Sequence, residues 1–333
     1  MLFCIFVPMF PAINSSFDRL DELSEKKVPF VFFIDFLKKN CEIFELSDLK
    51  KSGVIVEFPT FTKTDKADFN NEKIRLKSFP QDKEVYRKGF DLVQKNLKVG
   101  NSYLVNYTCK TEIEIDLSLK EIFHSAKAKY KVLYKDEFVF FSPETFVEIK
   151  NNKIYTHPMK GTIDASVPNA VEVLKNDPKE KAEHYTVVDL LRNDLSIVAD
   201  EVQLDEFQRI DFLKTQQKNL YAMSSEISGT LKPEFQHKIG SLMKALLPAG
   251  SILGAPKQKT LEIILEAETF DRGFYTGVCG YFDGEDFDSC VMIRFIEKEN
   301  GKFYFKSGGG ITHLSKFADE YQEMKNKIYV PIH

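Results

Sequence analysis

The chain has 333 residues, 43% of them apolar and 29% charged, with a net charge of −4. Such a composition supports a sizeable core in one large domain or two ordinary ones, and it is neither that of a disordered chain nor that of a membrane protein. No basic stripe marks a nucleic-acid partner, and no run approaches the ~20 apolar residues that cross a bilayer.

The five cysteines are Cys4, Cys41, Cys109, Cys279 and Cys290. Their number is odd and no pair has CxxC spacing, which argues for a reducing, cytoplasmic compartment and against a disulfide framework or a cysteine zinc site. The opening MLFCIFVPMF lacks a basic segment and carries Pro8. It reads as a strand, or as residues ahead of a later start at Met9, in preference to a signal peptide. Residues 28–36 read as a buried strand. Residues 60–82 are polar and irregular and mark the expected boundary between an N-terminal region, 1–80, and a catalytic region, 81–330. Residues 82–98 have helical spacing, with Val85, Phe90 and Val93 as the apolar stripe. Strand patterns follow at 102–115, 131–134, 137–142 and 146–155. A helix is expected from Pro178 to Leu191, with Asp177 as N-cap and Glu180 completing a capping box. Another starts at Pro256, with Leu261, Ile264 and Leu265 on one face. Strands resume at 274–282, 287–297 and 302–307, and a last helix begins after Ser315 with Tyr321 and Ile328 inward. Elements in blocks rather than strict alternation predict an α+β fold.

Several clusters have the composition of a site. Glu180 and Glu183 lie three apart on one helix, and Glu320 and Glu323 three apart on another. Side chains at that spacing point the same way, and two such helices facing each other would give an all-oxygen site suited to Mg²⁺. Each pair also has an ordinary reading: Glu180 as a capping residue, Glu323 as the i,i+4 partner of Lys327. Pro248–Lys257 (PAGSILGAPK) runs into a helix N-terminus, where free N–H groups attract anions, or it is a tight turn. Ser307-Gly-Gly-Gly-Ile311 lets backbone approach a ligand, or makes a turn. Lys160, in His157-Pro-Met-Lys-Gly-Thr162, is a nucleophile if its surroundings keep it neutral, and otherwise a solvated lysine. Glu144, in Phe-Ser-Pro-Glu, is unremarked on its own.

Taken together, GNSYLVNYT, FSPETF, HPMKGT, KEKAEHYTVVDLLRNDLSIVA, GSILGAPKQKTLEII, RGFYTGVCGYF, DSCVMIRF, SGGGI and DEYQEMKNK resemble the chorismate-binding family. That family comprises anthranilate synthase component I, aminodeoxychorismate synthase component I, and the isochorismate and salicylate synthases. The segments stand in family order from about residue 82 to 328; residues 1–80 resemble it weakly. The resemblance implies a sandwich of two large antiparallel β-sheets with outer helices and chorismate in the cleft. It implies Mg²⁺ held by Glu183 and Glu323, with Glu180 and Glu320 supporting. Arg294, Tyr275 and the backbone at Gly308, Gly309 and Gly310 would bind the enolpyruvyl carboxylate, Gly161 and Thr162 would contact substrate, and Lys327 would face the ring carboxylate.

Lys160 decides the branch that the resemblance implies. Anthranilate synthases usually have alanine in this motif, whereas aminodeoxychorismate synthases have lysine. In the lysine subgroup the amine attacks ring carbon 2, the 4-hydroxyl leaves with a proton from the residue matching Glu144, and ammonia then attacks carbon 4 and expels the lysine. Isochorismate and salicylate synthases carry a water-activating lysine where this chain has Leu104, so those activities are not expected. Ala222 stands where many members have a histidine. The N-terminal segment that forms a tryptophan pocket in larger members is missing, so no tryptophan feedback is expected. Nothing reads as a glutaminase, so ammonia is expected from a separate glutamine amidotransferase subunit or from solution. The rival readings are anthranilate synthase component I with an atypical lysine, and a silent chorismate-binding subunit.

Overall fold

The computed structural model describes residues 11–63, 75–213 and 219–331. The apolar start, including Cys4 and Met9, lies outside them, as do residues 64–74 of the polar stretch 60–82. The fold is α+β, built on two nine-stranded sheets in which every pairing is antiparallel. Antiparallel sheets bury one face readily and leave the other for helices.

The first sheet runs, in order, through Met159–Asp164, Leu220–Leu231, Lys153–Thr156, Thr145–Lys150, Phe287–Val291, Val278–Phe282, Phe30–Ile34 and Cys41–Glu45, with Ala199–Leu213 also paired to Leu220–Leu231. The second runs through Gly254–Ala255, Leu104–Ile115, Lys302–Ile311, Phe295–Glu299, Phe138–Ser142, Tyr130–Tyr134, Val54–Glu57 and Thr62–Lys63, with Leu76–Phe79 on Leu104–Ile115. Residues before 80 therefore contribute strands to both sheets. An aromatic seam joins them: Phe33 of the first sheet meets Tyr134 of the second edge-on at 5.2 Å, and Tyr134 and Phe295 each stack on Phe138 at 4.7 Å. Offset and edge-on rings add directional contact to the apolar burial.

The expected elements form with instructive shifts. The helix Lys83–Lys98 is capped by Asp82, whose side chain accepts from Glu84 N and Val85 N. Its buried stripe is Tyr86, Phe90, Val93 and Leu97, while Val85 is turned outward. The span 146–155 is a hairpin, Thr145–Lys150 and Lys153–Thr156, because Asn151 and Asn152 both have positive φ, 50° and 64°, as a tight type I′ turn demands. The span 287–297 belongs to both sheets: Phe287–Val291 to the first and Phe295–Glu299 to the second. The chain crosses between them at Arg294, whose φ is +55°. The glycine run is no turn, since Gly308, Gly309 and Gly310 pair with Thr108, Tyr107 and Asn106 inside the strand Lys302–Ile311. The helix Pro178–Val198 runs seven residues past the expected end, and Lys257–Ala267 buries Thr260, Ile263, Ile264 and Ala267 with Leu265 outward. The last helix, Phe317–Asn326, buries Glu320 and Met324; Ile328 is buried beyond its end, and Tyr321 donates to Gln81 O at 2.8 Å. Among the described residues no helix is long and apolar enough to cross a membrane.

Candidate active site

Four elements bring most of the chemistry-bearing segments together. The edge strand Met159–Asp164 carries Lys160, Gly161 and Thr162. The helix Pro178–Val198 follows it and carries Glu180 and Glu183. Asp177 caps that helix, accepting from Glu180 N at 2.9 Å. Asp177 N also donates to Val173 O, the end of the preceding helix. Glu180 packs on the strand: a Cβ on Gly161 would lie 2.8 Å from Glu180 Oε2. Gly161 also has φ +83°, a conformation that requires glycine there.

On the other side, the strand Lys302–Ile311 runs under the helix Phe317–Asn326. A Cβ on Gly309 would come within 2.9 Å of Glu323 Oε1 and 3.4 Å of Lys327 Nζ. Lys327 pairs with Glu323 at 2.7 Å and donates to Gly308 O at 2.8 Å. The i,i+4 reading of that pair is thus correct, and it sits against the glycine run. Burial holds the Lys327 amine below the usual lysine range; the nearby charges of Arg294 and Lys160 push the same way, and Glu323 opposes them. Lys327, Arg294, Glu323 and Lys160 are therefore close enough to feel one another. Buried Tyr275 joins this group, because the Arg294 charge bears on its hydroxyl, although burial is the main cause of its raised pKa. Glu320 is 2% exposed, and its charge bears on buried Tyr86. Thr162 is exposed.

Glu144 immediately precedes the strand Thr145–Lys150. Its backbone is fixed by Val291 N, which donates to Glu144 O at 3.2 Å, and by Ser142 Oγ, which accepts from Glu144 N at 3.1 Å. Its side chain accepts from Ser251 Oγ at 2.5 Å. Ser251 lies in the Pro248–Lys257 segment, and a carboxylate does sit there, the protein's own Asp194. Lys257 pairs with Asp194 at 2.8 Å.

Three further features complete the picture. Leu104 is buried, and its Cδ1 lies 3.0 Å from where a Cβ on Gly310 would be. An apolar group thus occupies the position where a water-activating lysine would stand. Ala222 is fully buried and is the register partner of Thr162, so the residue in place of a histidine lies directly across from the lysine strand. His184 was not singled out by sequence. It is fully buried, and its Nε2 is 2.7 Å from Ser225 Oγ. Burial, aided by the Lys160 charge, lowers its pKa to about 4, so it is neutral at physiological pH.

A metal is implied by the resemblance, and the donor chemistry fits one in part. Among the described residues no three His, Cys, Asp or Glu side chains gather closely enough to hold an ion by themselves. Mg²⁺ commonly needs only one or two carboxylates, with waters and substrate oxygens completing its shell. The carboxylates over Gly161 and Gly309 supply hard oxygen donors of that kind, with no side chain on either glycine to fill the space.

Comparison with known proteins gives the family. The model of the chorismate binding enzyme family matches residues 38–333, and the chain belongs to that family. It is 45% identical over 322 residues to an uncharacterized PabA-like protein of Pasteurella multocida, covering 96% of this chain and 99% of that protein. It is 31% identical over 267 residues to aminodeoxychorismate synthase component 1 of Klebsiella aerogenes, covering 75% of this chain and 58% of that protein. It is 32% identical over 263 residues to anthranilate synthase component 1 of Bacillus subtilis, covering 74% and 50%. The fold matches the crystal structure of a 2,3-dihydroxybenzoate-specific isochorismate synthase from Bacillus anthracis, with a TM-score of 0.71 at 22% identity over 95% of this chain and 87% of that one.

Proposed function

We propose that this chain is the synthase subunit that converts chorismate and ammonia to 4-amino-4-deoxychorismate, the precursor of p-aminobenzoate and folate. The observation that carries this reading is Lys160, on an edge strand beside Glu180, with its charge felt at Lys327 and His184. Anthranilate formation needs no amine nucleophile from the protein.

In the proposed reaction the neutral Lys160 amine forms a bond to ring carbon 2. The double bond shifts, the carbon 4–oxygen bond breaks, and Glu144 gives its proton to the departing hydroxyl. Ammonia then bonds to carbon 4, the double bond returns, and the bond to Lys160 breaks. The positive charges of Lys327 and Arg294, clustered at the glycine run, oppose the substrate's two carboxylates. Arg294, Tyr275 and the amides of Gly308, Gly309 and Gly310 hold the enolpyruvyl carboxylate, and Gly161 and Thr162 contact the ring. Glu183 and Glu323, supported by Glu180 and Glu320, would hold Mg²⁺, which when bound supplies positive charge for the ring carboxylate. With Leu104 in place of a basic side chain, nothing at that position activates water. Ammonia comes from a glutamine amidotransferase subunit, and the reaction is cytoplasmic.

The test is product identity. The purified chain is incubated with chorismate, Mg²⁺ and ammonium, with and without aminodeoxychorismate lyase. The expected result is p-aminobenzoate only when the lyase is present. Anthranilate without the lyase would replace this reading with the anthranilate synthase one.

A further inference from the structure

We propose that the Asp194–Lys257 pair clamps the 250–257 segment so that Ser251 fixes the Glu144 carboxyl group, making Asp194 and Ser251 positioning residues for loss of the 4-hydroxyl. The inference rests on the role given to Glu144 above.

The main chain of Glu144 is held on both sides, so only its side-chain torsions are left to set, and the Ser251 hydroxyl sets them through its hydrogen bond to Oε1. That leaves Oε2 as the oxygen that presents the proton. Ser251 is 6% exposed, and everything around it is pinned. On one side, Gly250 lies against the Asp194 carboxylate. A Cβ on Gly250 would stand 2.8 Å from Asp194 Oδ2, so only glycine lets the segment come this close. On the other side, Lys257 Nζ pairs with Asp194 Oδ1 at 2.8 Å and donates to Leu246 O at 2.7 Å. Between these points, Arg272 Nη1 donates to Ile252 O at 3.2 Å, Asn106 N to Leu253 O at 3.0 Å, and Tyr103 N to Ala255 O at 2.9 Å. Gly254 and Ala255 pair with Val105 and Leu104.

The segment thus ties three elements together. It is paired to the Leu104 strand of the second sheet, bonded through Ser251 to the first residue before a strand of the first sheet, and gripped by the helix that carries Glu180 and Glu183. Asp194 lies three turns along that helix from Glu183. Its side chain is 8% exposed, and a carboxylate so buried needs its Lys257 partner. The same helix therefore presents carboxylates at one end and sets the acid through the other. A proton donor must be held in a narrow range of positions to act efficiently, and this brace is the structural means.

The experiment measures chorismate consumption with ammonium and Mg²⁺ for wild type, S251A, S251T, D194N, E144Q and the doubles S251A/E144Q and S251A/D194N, with melting curves for each. Chorismate consumption reads the acid step whichever amine product forms. S251A is expected to lower kcat by about 10-fold or more, with KM for chorismate within about two-fold. S251T, which keeps the hydroxyl, is expected to recover most of that loss. S251A should cost nothing further in the E144Q background, and S251A with D194N should cost no more than the worse single variant. Should D194N fail to fold, S251A, S251T and S251A/E144Q decide alone. Wild-type kcat in S251A, or the same fold-loss with and without Glu144, overturns the inference while the proposed function stands. A wild-type chain that consumes no chorismate overturns the proposed function, and this inference with it.

Discussion

Gly161 and Gly309 each place bare backbone beneath a glutamate, and this is where single atoms decide most. In G161A the new methyl would meet Glu180 Oε2 at 2.8 Å and Leu174 Cδ1 at 3.2 Å, at φ +83°. The variant is expected to lose about 1–3 kcal/mol of stability and to lower kcat/KM, because the Glu180 carboxylate must shift from its place beside the Lys160 strand. Gly100 has φ +77° and nothing within 4 Å of a Cβ, so G100A is expected to lose stability with kcat/KM unchanged. Urea titration and steady-state kinetics on the pair separate strain from site damage. Lys160, Glu144 and the glutamate pairs are legible in the sequence because short ordered segments carry them. His184 and Ser251 are not, since their meaning depends on partners 41 and 107 residues away. The Pro248–Lys257 segment reads as an anion-attracting helix N-terminus or as a tight turn, and the pairing of Lys257 with Asp194 is not legible in it.

At the scale of elements, periodicity reads the existence of strands and helices well and their faces less well. Val85 and Leu265 fit an apolar stripe by spacing, yet they are 38% and 57% exposed, because a neighbouring stripe finds the better-filled surface. The run 287–297 is uniformly strand-like, and only the change of sheet at Arg294, a tertiary event, divides it. The long hairpin Ala199–Leu213 and Leu220–Leu231 left little alternation to read, since register shifts near Asp200, Leu204 and Glu206 break its period. The cap of Lys83–Lys98 gives a test at this scale. Asp82 Oδ1 accepts from Glu84 N at 2.8 Å and Val85 N at 3.3 Å. D82A is expected to lose about 1 kcal/mol in chemical denaturation and to leave chorismate kinetics unchanged, since Asp82 touches no site residue. A kinetic defect would mean that this helix end reports to the site.

The molecule as a whole depends on two sheets assembled from both ends of the chain. One polar link between them is titratable: Tyr130 OH, on the second sheet, donates to Asp288 Oδ1, on the first, at 2.8 Å. Asp288 is 4% exposed. Burial raises its pKa to about 6 from 3.8, with the Glu148 charge adding and the Tyr130 hydrogen bond, Lys129 and Lys150 opposing. A carboxyl that is harder to ionise when folded favours the native state below the unfolded pKa, and that advantage is lost as pH rises through about 6. D288N keeps an acceptor for Tyr130 and removes the titration. It is expected to be more stable than wild type at pH 8 by roughly 2–3 kcal/mol and to flatten the change between pH 4 and 6. Melting curves across that range check it; a wild-type-like profile in D288N would show that Asp288 ionises freely. The two-sheet architecture was legible only through the resemblance, because strand order and sheet membership depend on pairings distant in sequence, such as Phe30 with Phe282.

The measurement that bears most directly on the central claim is the intact mass of the protein quenched during turnover of chorismate with Mg²⁺ and no ammonium. The expected result is an added mass equal to chorismate less one water, mapped by peptide digestion to Lys160 and lost in K160A together with amination. An adduct on another residue, or K160A aminating chorismate at the wild-type rate with ammonium, would contradict the assignment of Lys160 as the nucleophile.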